Sequence, residues 1–169
     1  MRITLAEKKD LPEVIDLIFV CVKDMGLRGI HQWDEQYPTP DIFSKDIQDK
    51  TLYLAKEGKK IIATLVITDE QELEYIPVDW IVKKGKHLIV HRLAVHPKWQ
   101  SKGIAKNLME YAEEHARKNG YSSIRLDTYC KNPRGIGFYE GLGYKRTGEI
   151  FFPTHDLPFF CFEKVLDGE

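Results

Sequence analysis

Two kinds of hydrophobic periodicity alternate along the chain. Alternating positions and short runs rich in β-branched residues predict strands at 2–6, 52–55, 60–68, 87–95, 123–128, 144–152 and 159–165. Apolar residues at helical spacing predict helices at 11–25, 41–50, 103–119 and 133–142. The order β-α-α-β-β-β-α-β-α-β-β combines antiparallel pairs with strand–helix–strand crossovers. It predicts one α/β domain over residues 1–169, with no linker and no internal repeat.

Capping signals set the expected ends of these elements. Asp10 is predicted to cap the first helix, which Gly26 should end. Asn132 followed by Pro133 is typical of a helix start, because proline fits the first helical turn. Gly58 indicates a hairpin between the second and third strands.

Charge and cysteine content narrow the function classes. Lys and Arg total 25 against 26 Asp and Glu, which argues against a general nucleic-acid binder and gives no support to a polybasic membrane anchor. The longest apolar stretch, 14–22, is too short to span a bilayer and contains Asp16. Three cysteines form no spaced pattern, and no secretory signal is evident, so we expect a reducing, cytoplasmic location.

A strand, a turn and a helix follow one another around residue 100. The predicted central strand is followed by Pro97 and then by Gln100-Ser101-Lys102-Gly103-Ile104-Ala105. The first N–H groups of a helix lack intrahelical partners and carry partial positive charge. Small residues at 101, 103 and 105 would let an anion approach them, and Lys102 adds charge, so the segment is a candidate pyrophosphate site. A plain strand–helix connection, with glycine for close packing, is the alternative.

A second motif gives the first one weight. The pattern Gln/Arg-x-x-Gly-x-Gly/Ala alone would occur by chance in about one unrelated chain in ten. Here a strand and then Asn132-Pro133-Arg134-Gly135-Ile136-Gly137-Phe138-Tyr139-Glu140-Gly141-Leu142-Gly143-Tyr144 follow, about 30 residues later. In this order the two motifs resemble the GNAT superfamily of acetyl-CoA-dependent N-acetyltransferases, over about residues 87–150. The resemblance implies the GNAT acyl-CoA N-acyltransferase fold, a central mixed, mostly antiparallel twisted sheet of six to seven strands flanked by about four helices.

The resemblance also implies the site residues. Acetyl-CoA would be the acyl donor, without a metal, and its contacts would begin at the strand end Leu93, Ala94 and Val95, where Leu93 and Val95 offer backbone groups to the pantetheine and the thioester carbonyl. The pyrophosphate would lie on Gln100, Ser101, Lys102, Gly103, Ile104 and Ala105. Asn132 would reach the pantetheine arm, and Tyr139 would lie near the sulfur. The chain departs from the family at Gly135, where alanine is common.

The implied reaction is direct attack of an amine on a thioester. An alkyl amine with a pKa near 10.4 needs roughly 4.6 kcal/mol to lose its proton at pH 7, whereas forming a thiolate from a thiol with a pKa near 8.5 needs roughly 2 kcal/mol. Deprotonation of the amine is therefore the larger problem. Tyr139 is a weaker acid than the departing thiol, so we expect it to act mainly by donating a hydrogen bond; a core aromatic is the alternative.

The base is not fixed by the sequence. Some family members place a histidine at the position of His91, two residues before Leu93, and imidazole titrates in the right range. A core or surface histidine is the alternative reading. Glu70, Glu72, Glu74 and a water relay are the other candidates for proton removal.

Further candidates concern metals, acylation, the acceptor and assembly. No metal site is expected, because strand alternation places His87 and His91 on one face and His96 on the other, with no interleaved carboxylate. Cys130 could be acylated in a ping-pong scheme, although a buried thiol is more usual. The aromatic residues Trp33, Tyr37, Tyr75 and Trp80 either line an acceptor pocket or close the end of the core. The family often dimerises through its last strands, so the candidates for a homodimer contact are Phe151, Phe152, Phe159 and Phe160, with burial in the core as the alternative.

Three functions remain open. The first is N-acetylation of a primary amine on a small molecule, amino acid or peptide, with no nucleic-acid or membrane partner. The second is acetylation of a protein lysine or a ribosomal protein, and the third is a catalytically inert acyl-CoA-binding module. Retention of Tyr139 and of the complete 100–105 segment counts against the inert module.

Overall fold

The computed structural model describes residues 1–167 and contains seven strands and four α-helices in the predicted order. The strands are β1 Arg2–Leu5, β2 Leu52–Glu57, β3 Lys60–Thr68, β4 Lys86–Val95, β5 Tyr121–Tyr129, β6 Lys145–Ile150 and β7 Phe159–Val165. The α-helices are α1 Leu11–Leu27, α2 Pro40–Gln48, α3 Ile104–Lys118 and α4 Pro133–Gly141. Short 3₁₀ turns occur at Lys8–Asp10, Leu73–Tyr75 and Pro97–Trp99.

The strands form one mixed sheet in the order β1-β2-β3-β4-β5-β7-β6. Antiparallel pairs join β1 to β2, β2 to β3, β5 to β7 and β6 to β7, whereas β4 and β5 run parallel. The parallel register runs from Lys86–Tyr121 to Ile89–Arg125. A parallel pair needs a long crossover connection, and α3 supplies it here. The expected α/β fold with a mostly antiparallel sheet is confirmed.

The chain forms two compact units. The first comprises Met1–Ile67 and His91–Tyr111, and the second comprises Thr68–Val90 and the chain from Ala112 onward. The first unit has a core in which α1 contributes Val14, Leu17, Ile18 and Cys21 at helical spacing. These side chains pack against Phe43 of α2 and the buried side chains of β2 and β3.

The second unit has its own apolar cluster. Tyr75 and Trp80, from the irregular segment 69–85, pack there with residues from β4 to β7. The buried members on those strands are Ile89, Tyr129, Ile150, Phe159 and Cys161. The long segment before β4 is therefore anchored by aromatic burial, although it has little regular structure.

Two local expectations were wrong. Helix α1 continues through Gly26 to Leu27, and the left-handed glycine that follows the helix is Gly29, at φ 73°. Asp10 precedes α1, but its side chain does not cap that helix. It accepts a hydrogen bond from the Glu7 amide at 2.8 Å and pairs with Lys56 at 2.8 Å. Within residues 1–167, no helix combines the length and the apolar character needed to cross a membrane.

Candidate active site

The connection between β4 and α3 has a backbone suited to binding an anion. His96 begins it, with Nδ1 accepting a hydrogen bond from the Lys98 amide at 3.1 Å. Ser101 and Gly103 then adopt left-handed conformations, with φ of 60° and 80°, immediately before α3 begins at Ile104. Left-handed residues at a turn aim successive N–H groups into one concavity, and a helix start adds further N–H groups. This conformation suits an anion, and binding of a pyrophosphate by residues 101–105 stays a prediction.

Gln100 has a role in closing this loop. Its Nε2 donates to the Val95 carbonyl at 3.0 Å, and its Oε1 lies 3.5 Å from Arg28 Nη2. The side chain therefore ties the loop to the end of β4. Lys102 Nζ lies 5.0 Å from the centre of the Trp99 ring, a cation–π distance.

The second half of β4 is held in a distorted conformation. Arg92 has φ 48°, which is rare for a residue with a side chain. Its guanidinium binds both carboxylate oxygens of Asp46, at 2.9 and 2.7 Å, and the Tyr37 hydroxyl at 3.0 Å. Thr64 Oγ1 donates to the Arg92 carbonyl at 2.9 Å. A buried, bidentate pair of this kind fixes the distortion that precedes Leu93.

The residues at the end of β4, Leu93–Val95, differ in the groups that they leave available to a ligand. The Ala94 side chain is buried in the core of the first unit, so only its backbone is available to a ligand. The Val95 carbonyl already accepts from Gln100 Nε2 and lies 3.5 Å from Cys21 Sγ. Burial beside the Arg92 guanidinium lowers the pKa of His91 to about 3. His91 is therefore neutral at pH 7 and a weaker base than a free imidazole.

In the second unit, Asn132 and Gly135 build the start of α4. Asn132 Oδ1 accepts from the Gly135 amide at 2.9 Å, so the predicted cap is confirmed. A Cβ on Gly135 would lie 2.8 Å from Thr128 Oγ1 and 2.9 Å from Asn132 Nδ2. Lack of space beside the cap accounts for glycine at this position.

Tyr139, on the same helix, has a buried phenol with an unusual environment. Its ring packs near Tyr144 and Phe162, with centroids 5.9 and 6.2 Å away. Burial and the charge of Asp127 raise its pKa above the ordinary value, so the hydroxyl keeps its proton at neutral pH. Among the described residues, none accepts a hydrogen bond from that hydroxyl.

Asp127 on β5 is a candidate that the sequence analysis missed. It accepts a hydrogen bond of 2.5 Å from the Tyr75 hydroxyl. Burial raises its pKa to about 6, although the bond from Tyr75 opposes the shift. The available signal was the polar side chains at alternate positions of this largely buried strand, Ser123, Arg125 and Asp127.

The predicted acceptor residues belong to different units. Trp33 is in the first unit, where it packs partly buried against the apolar core. In the second unit, Trp80 Nε1 donates to the Tyr75 carbonyl at 2.9 Å, and the two rings lie 5.1 Å apart. Tyr75 and Trp80 both line a cavity of about 580 Å³.

The remaining candidates lie in varied settings. Glu70 and Glu72 are exposed, Glu74 is partly buried, and Cys130 packs beside the apolar cluster of the second unit. Cys21, Cys130 and Cys161 are free thiols. Across residues 1–167, no three His, Cys, Asp or Glu side chains are grouped as a metal site would require.

Comparison with known proteins agrees with the geometry. The model of the Acetyltransferase (GNAT) family matches residues 23–144, and the chain therefore belongs to this family. Over 100 residues it is 32% identical to N-acetyltransferase 8B of Homo sapiens, covering 59% of this chain and 40% of that protein. Over 152 residues it is 26% identical to S-(2-succino)cysteine N-acetyltransferase of Bacillus subtilis, covering 88% of this chain and 86% of that protein.

Structural comparison supports the same fold. A GNAT-family acetyltransferase from Streptococcus agalactiae superposes with a TM-score of 0.85 at 22% sequence identity, over 98% of this chain and 95% of that one. The chain spans less than half the length of its human relative. Family and fold are thus established, and the acceptor remains to be inferred.

Proposed function

We propose that this chain is an acetyl-CoA-dependent N-acetyltransferase that acts on a primary amine of a small molecule, an amino acid or a peptide. The observation that carries the proposal is the pair of left-handed residues, Ser101 and Gly103, at the start of α3. Such a backbone suits a diphosphate, and it stands at the position of the family's pyrophosphate motif. The names of the human and Bacillus relatives support transfer to nitrogen.

The proposed donor contacts follow from the loop and the preceding strand. The amides of residues 101–105 would bind the pyrophosphate, and Gln100 would maintain the loop through its bond to Val95. The distorted strand after Arg92 would present backbone groups of Leu93 and Val95 to the pantetheine and the acyl carbonyl. Asn132 would contact the pantetheine arm while its Oδ1 caps α4. Acetyl-CoA itself supplies the activated acyl group.

Proton removal from the amine is assigned to Asp127 in preference to His91. The pKa of Asp127 is raised to about 6, which leaves it mostly ionised at pH 7 and close to the pH at which it works. The pKa of His91 is lowered to about 3, which makes it a much weaker proton acceptor. Tyr75 would hold the Asp127 carboxylate in place through its 2.5 Å hydrogen bond.

Tyr139 would assist departure of the thiolate. Its raised pKa keeps the proton on the phenol, and no described residue accepts that proton. A buried phenol of this kind suits hydrogen-bond donation to charge that develops on sulfur. We therefore retain the expectation that Tyr139 acts as a donor, with proton transfer as the smaller part of its effect.

The test uses release of free thiol from acetyl-CoA in the presence of a broad panel of primary amines. We expect release that depends on the amine, and we expect Tyr139→Phe to lower kcat by about 10–100-fold. Tyr144→Phe is the matched control, because the Tyr144 hydroxyl lies against Glu113 at 3.3 Å. An unchanged kcat in Tyr139→Phe would remove this residue from the mechanism.

The same assay separates the alternatives. Binding of acetyl-CoA without amine-dependent thiol release would favour the inert acyl-CoA-binding module. Release with lysine-containing or ribosomal-protein substrates, but with no small amine, would favour the protein acetyltransferase. The cytoplasmic location and the homodimer stay predictions, and the elution volume of the purified chain tests the dimer.

A further inference from the structure

The cavity of the second unit is large enough for a small molecule. Its volume is about 580 Å³, and it lies between the segment 69–87 and β5. Tyr75, Val78 and Trp80 give it apolar walls, whereas Gln71, His87 and Arg125 supply polar groups. A few convergent polar groups on an apolar wall are typical of a ligand site.

Arg125 is the strongest recognition element in this cavity. It is 5% exposed, and its guanidinium stacks on Trp80 with the central carbon 4.6 Å from the ring centre. Three of its five N–H groups are used: Nε by Glu163, Nη1 by Gln71 and Nη2 by the Val82 carbonyl. Within residues 1–167 the other two have no partner, and a guanidinium edge is well suited to a carboxylate.

Cations outnumber carboxylates among the residues that line the cavity. Lys83, Lys86 and Arg125 line the cavity, against the single carboxylate of Asp69. Glu163, behind Arg125, is satisfied by the Ser123 hydroxyl at 2.6 Å and by the Ile81 amide at 2.5 Å as well as by Arg125. Lys83 also pairs with Asp79, but that pair is exposed to solvent and therefore weak.

His87 adds a polar group to the same wall. Its Nδ1 lies 2.9 Å from Ser123 Oγ. Because Ser123 gives its own proton to Glu163, its oxygen accepts the Nδ1 proton of His87. The other ring nitrogen, Nε2, has no partner among the described residues. In this neutral ring it is an acceptor, so it can receive a hydrogen bond from an N–H or O–H group of a ligand.

We propose that this cavity binds a carboxylate of the acceptor, so that the acceptor is an amino acid or another small amine that carries a carboxylate. This inference rests on the proposed function. Arg125 and Asp127 lie two positions apart on the same face of β5, roughly 7 Å along the strand. Tyr75 lines the cavity and also binds Asp127, which joins the anion-binding and proton-accepting groups. One molecule with an amine and a carboxylate matches both.

The binding test needs no catalysis. Succinate and its neutral diamide, succinamide, are titrated separately while NMR follows the Trp80 indole N–H, which donates to the Tyr75 carbonyl. We expect saturable shifts with succinate and much weaker ones with succinamide. Equal responses to both, or no response to succinate, would overturn the carboxylate site.

A conservative variant tests whether Arg125 is responsible. Gln71 is exposed and accepts from Arg125 at 2.6 Å, so Gln71→Glu would occupy the guanidinium with an isosteric carboxylate. We expect succinate to bind about 10-fold more weakly, the effect of one charge-assisted hydrogen bond. Gln48→Glu, an exposed change of the same kind on α2, should leave binding unchanged. Equal affinity in Gln71→Glu and the wild type would contradict the assignment.

The kinetic test compares amino acids with their amides as acceptors. We expect kcat/KM to be at least about 10-fold higher for the acids, and Gln71→Glu to reduce that preference. If acids and amides react equally, the acetyltransferase proposal stands and the carboxylate subsite falls. If no amine reacts while succinate still shifts Trp80, the proposed function falls and the cavity remains an anion site without an acceptor role.

Discussion

At the scale of single residues, two buried side chains have pKa values above the ordinary values of their side-chain types. Asp127 has a raised pKa, and its charge helps to raise the pKa of Tyr139, which therefore holds its proton. An acid and a base whose environments push them into complementary states are typical of catalytic sites. The ion pair of Arg92 and Asp46 has a structural role instead, because its hydrogen bonds stabilise the distorted backbone of β4.

The role of Asp127 predicts a particular pH dependence. As pH falls through about 6, the carboxylate gains a proton and the rate should fall with it. Asp127→Asn should lower kcat/KM by about 100-fold at pH 8. It should also abolish the fall in rate that protonation of Asp127 causes near pH 6. The measurement is the ratio of wild-type to variant kcat/KM between pH 5 and 9, because ionisation of the amine affects both enzymes equally. A ratio that stays constant below pH 6 would exclude Asp127 as the base.

Stability provides the control for this variant. The pKa of Asp127 is raised from 3.8 to about 6 on folding, so the folded chain holds more protons between these values. Ionisation of Asp127 therefore destabilises the fold as pH rises through this window. Asp127→Asn keeps an oxygen for Tyr75 and removes the charge, so its Tm at pH 7 should not fall. Lost activity with an undiminished Tm is thus chemical in origin.

At the scale of elements, the glycines of α4 are not equivalent. A Cβ at Gly137 would meet nothing within 4 Å, whereas one at Gly135 would crowd Thr128 and the capping Asn132. Gly137→Ala should therefore stabilise the chain by about 0.5–1 kcal/mol. Gly135→Ala should destabilise it by about 1–3 kcal/mol, despite the better helix propensity of alanine. Denaturant unfolding checks both, and stabilisation by Gly135→Ala would show that the cap can shift.

Elements whose signals are local could be predicted closely. Both ends of β7, Phe159–Val165, agree with the prediction. Pro97 follows the end of β4 and Gly120 follows the end of α3, as predicted, because proline and a left-handed glycine act within one turn. The predicted end of α1 at Gly26 was wrong because the local signal that ends a helix is missing there. Gly26 lacks a left-handed conformation, and the amides after it still find helical carbonyls, as Arg28 does with Asp24.

The same distinction between local and long-range signals applies to the candidate site. The segment 100–105 could be recognised because its residues are adjacent and their order carries the signal. Asp127 and Arg125 could not, because their properties depend on Tyr75, Gln71 and Glu163, which are 38–54 residues away in sequence. A polar residue on a strand acquires a role only when the fold supplies its partner.

At the scale of the whole molecule, the proposed tasks are carried by different units. The proposed anion-binding loop belongs to the first unit, and Asp127, Tyr139 and the proposed acceptor cavity belong to the second. The net charge of −1 offers no broad attraction for polyanions, so the proposed binding of coenzyme A would have to depend on local geometry. Substitutions can therefore affect donor binding separately from the chemistry.

Gly103 provides the sharpest test of donor binding. Its φ is 80° and a Cβ there would meet nothing, so alanine introduces backbone strain without a clash. Gly58, in the β2–β3 turn, has φ 58° and equally open surroundings, which makes Gly58→Ala the matched control. Each substitution should cost about 1 kcal/mol of stability. Only Gly103→Ala should re-aim the amides that are proposed to hold the diphosphate, and we expect about 10-fold weaker binding of coenzyme A.

Thermal unfolding measures the difference in affinity for coenzyme A, because a bound ligand stabilises the whole folded chain. Coenzyme A at 100 times the wild-type Kd should stabilise the wild type and Gly58→Ala by about 2.7 kcal/mol, and Gly103→Ala by only about 1.4 kcal/mol. For a chain of this size the Tm should rise by about 5–10 °C in the first two and by about 3–5 °C in the third. Equal rises in all three would mean that the left-handed loop does not bind the donor, because a ligand stabilises the folded state only through contacts it makes there.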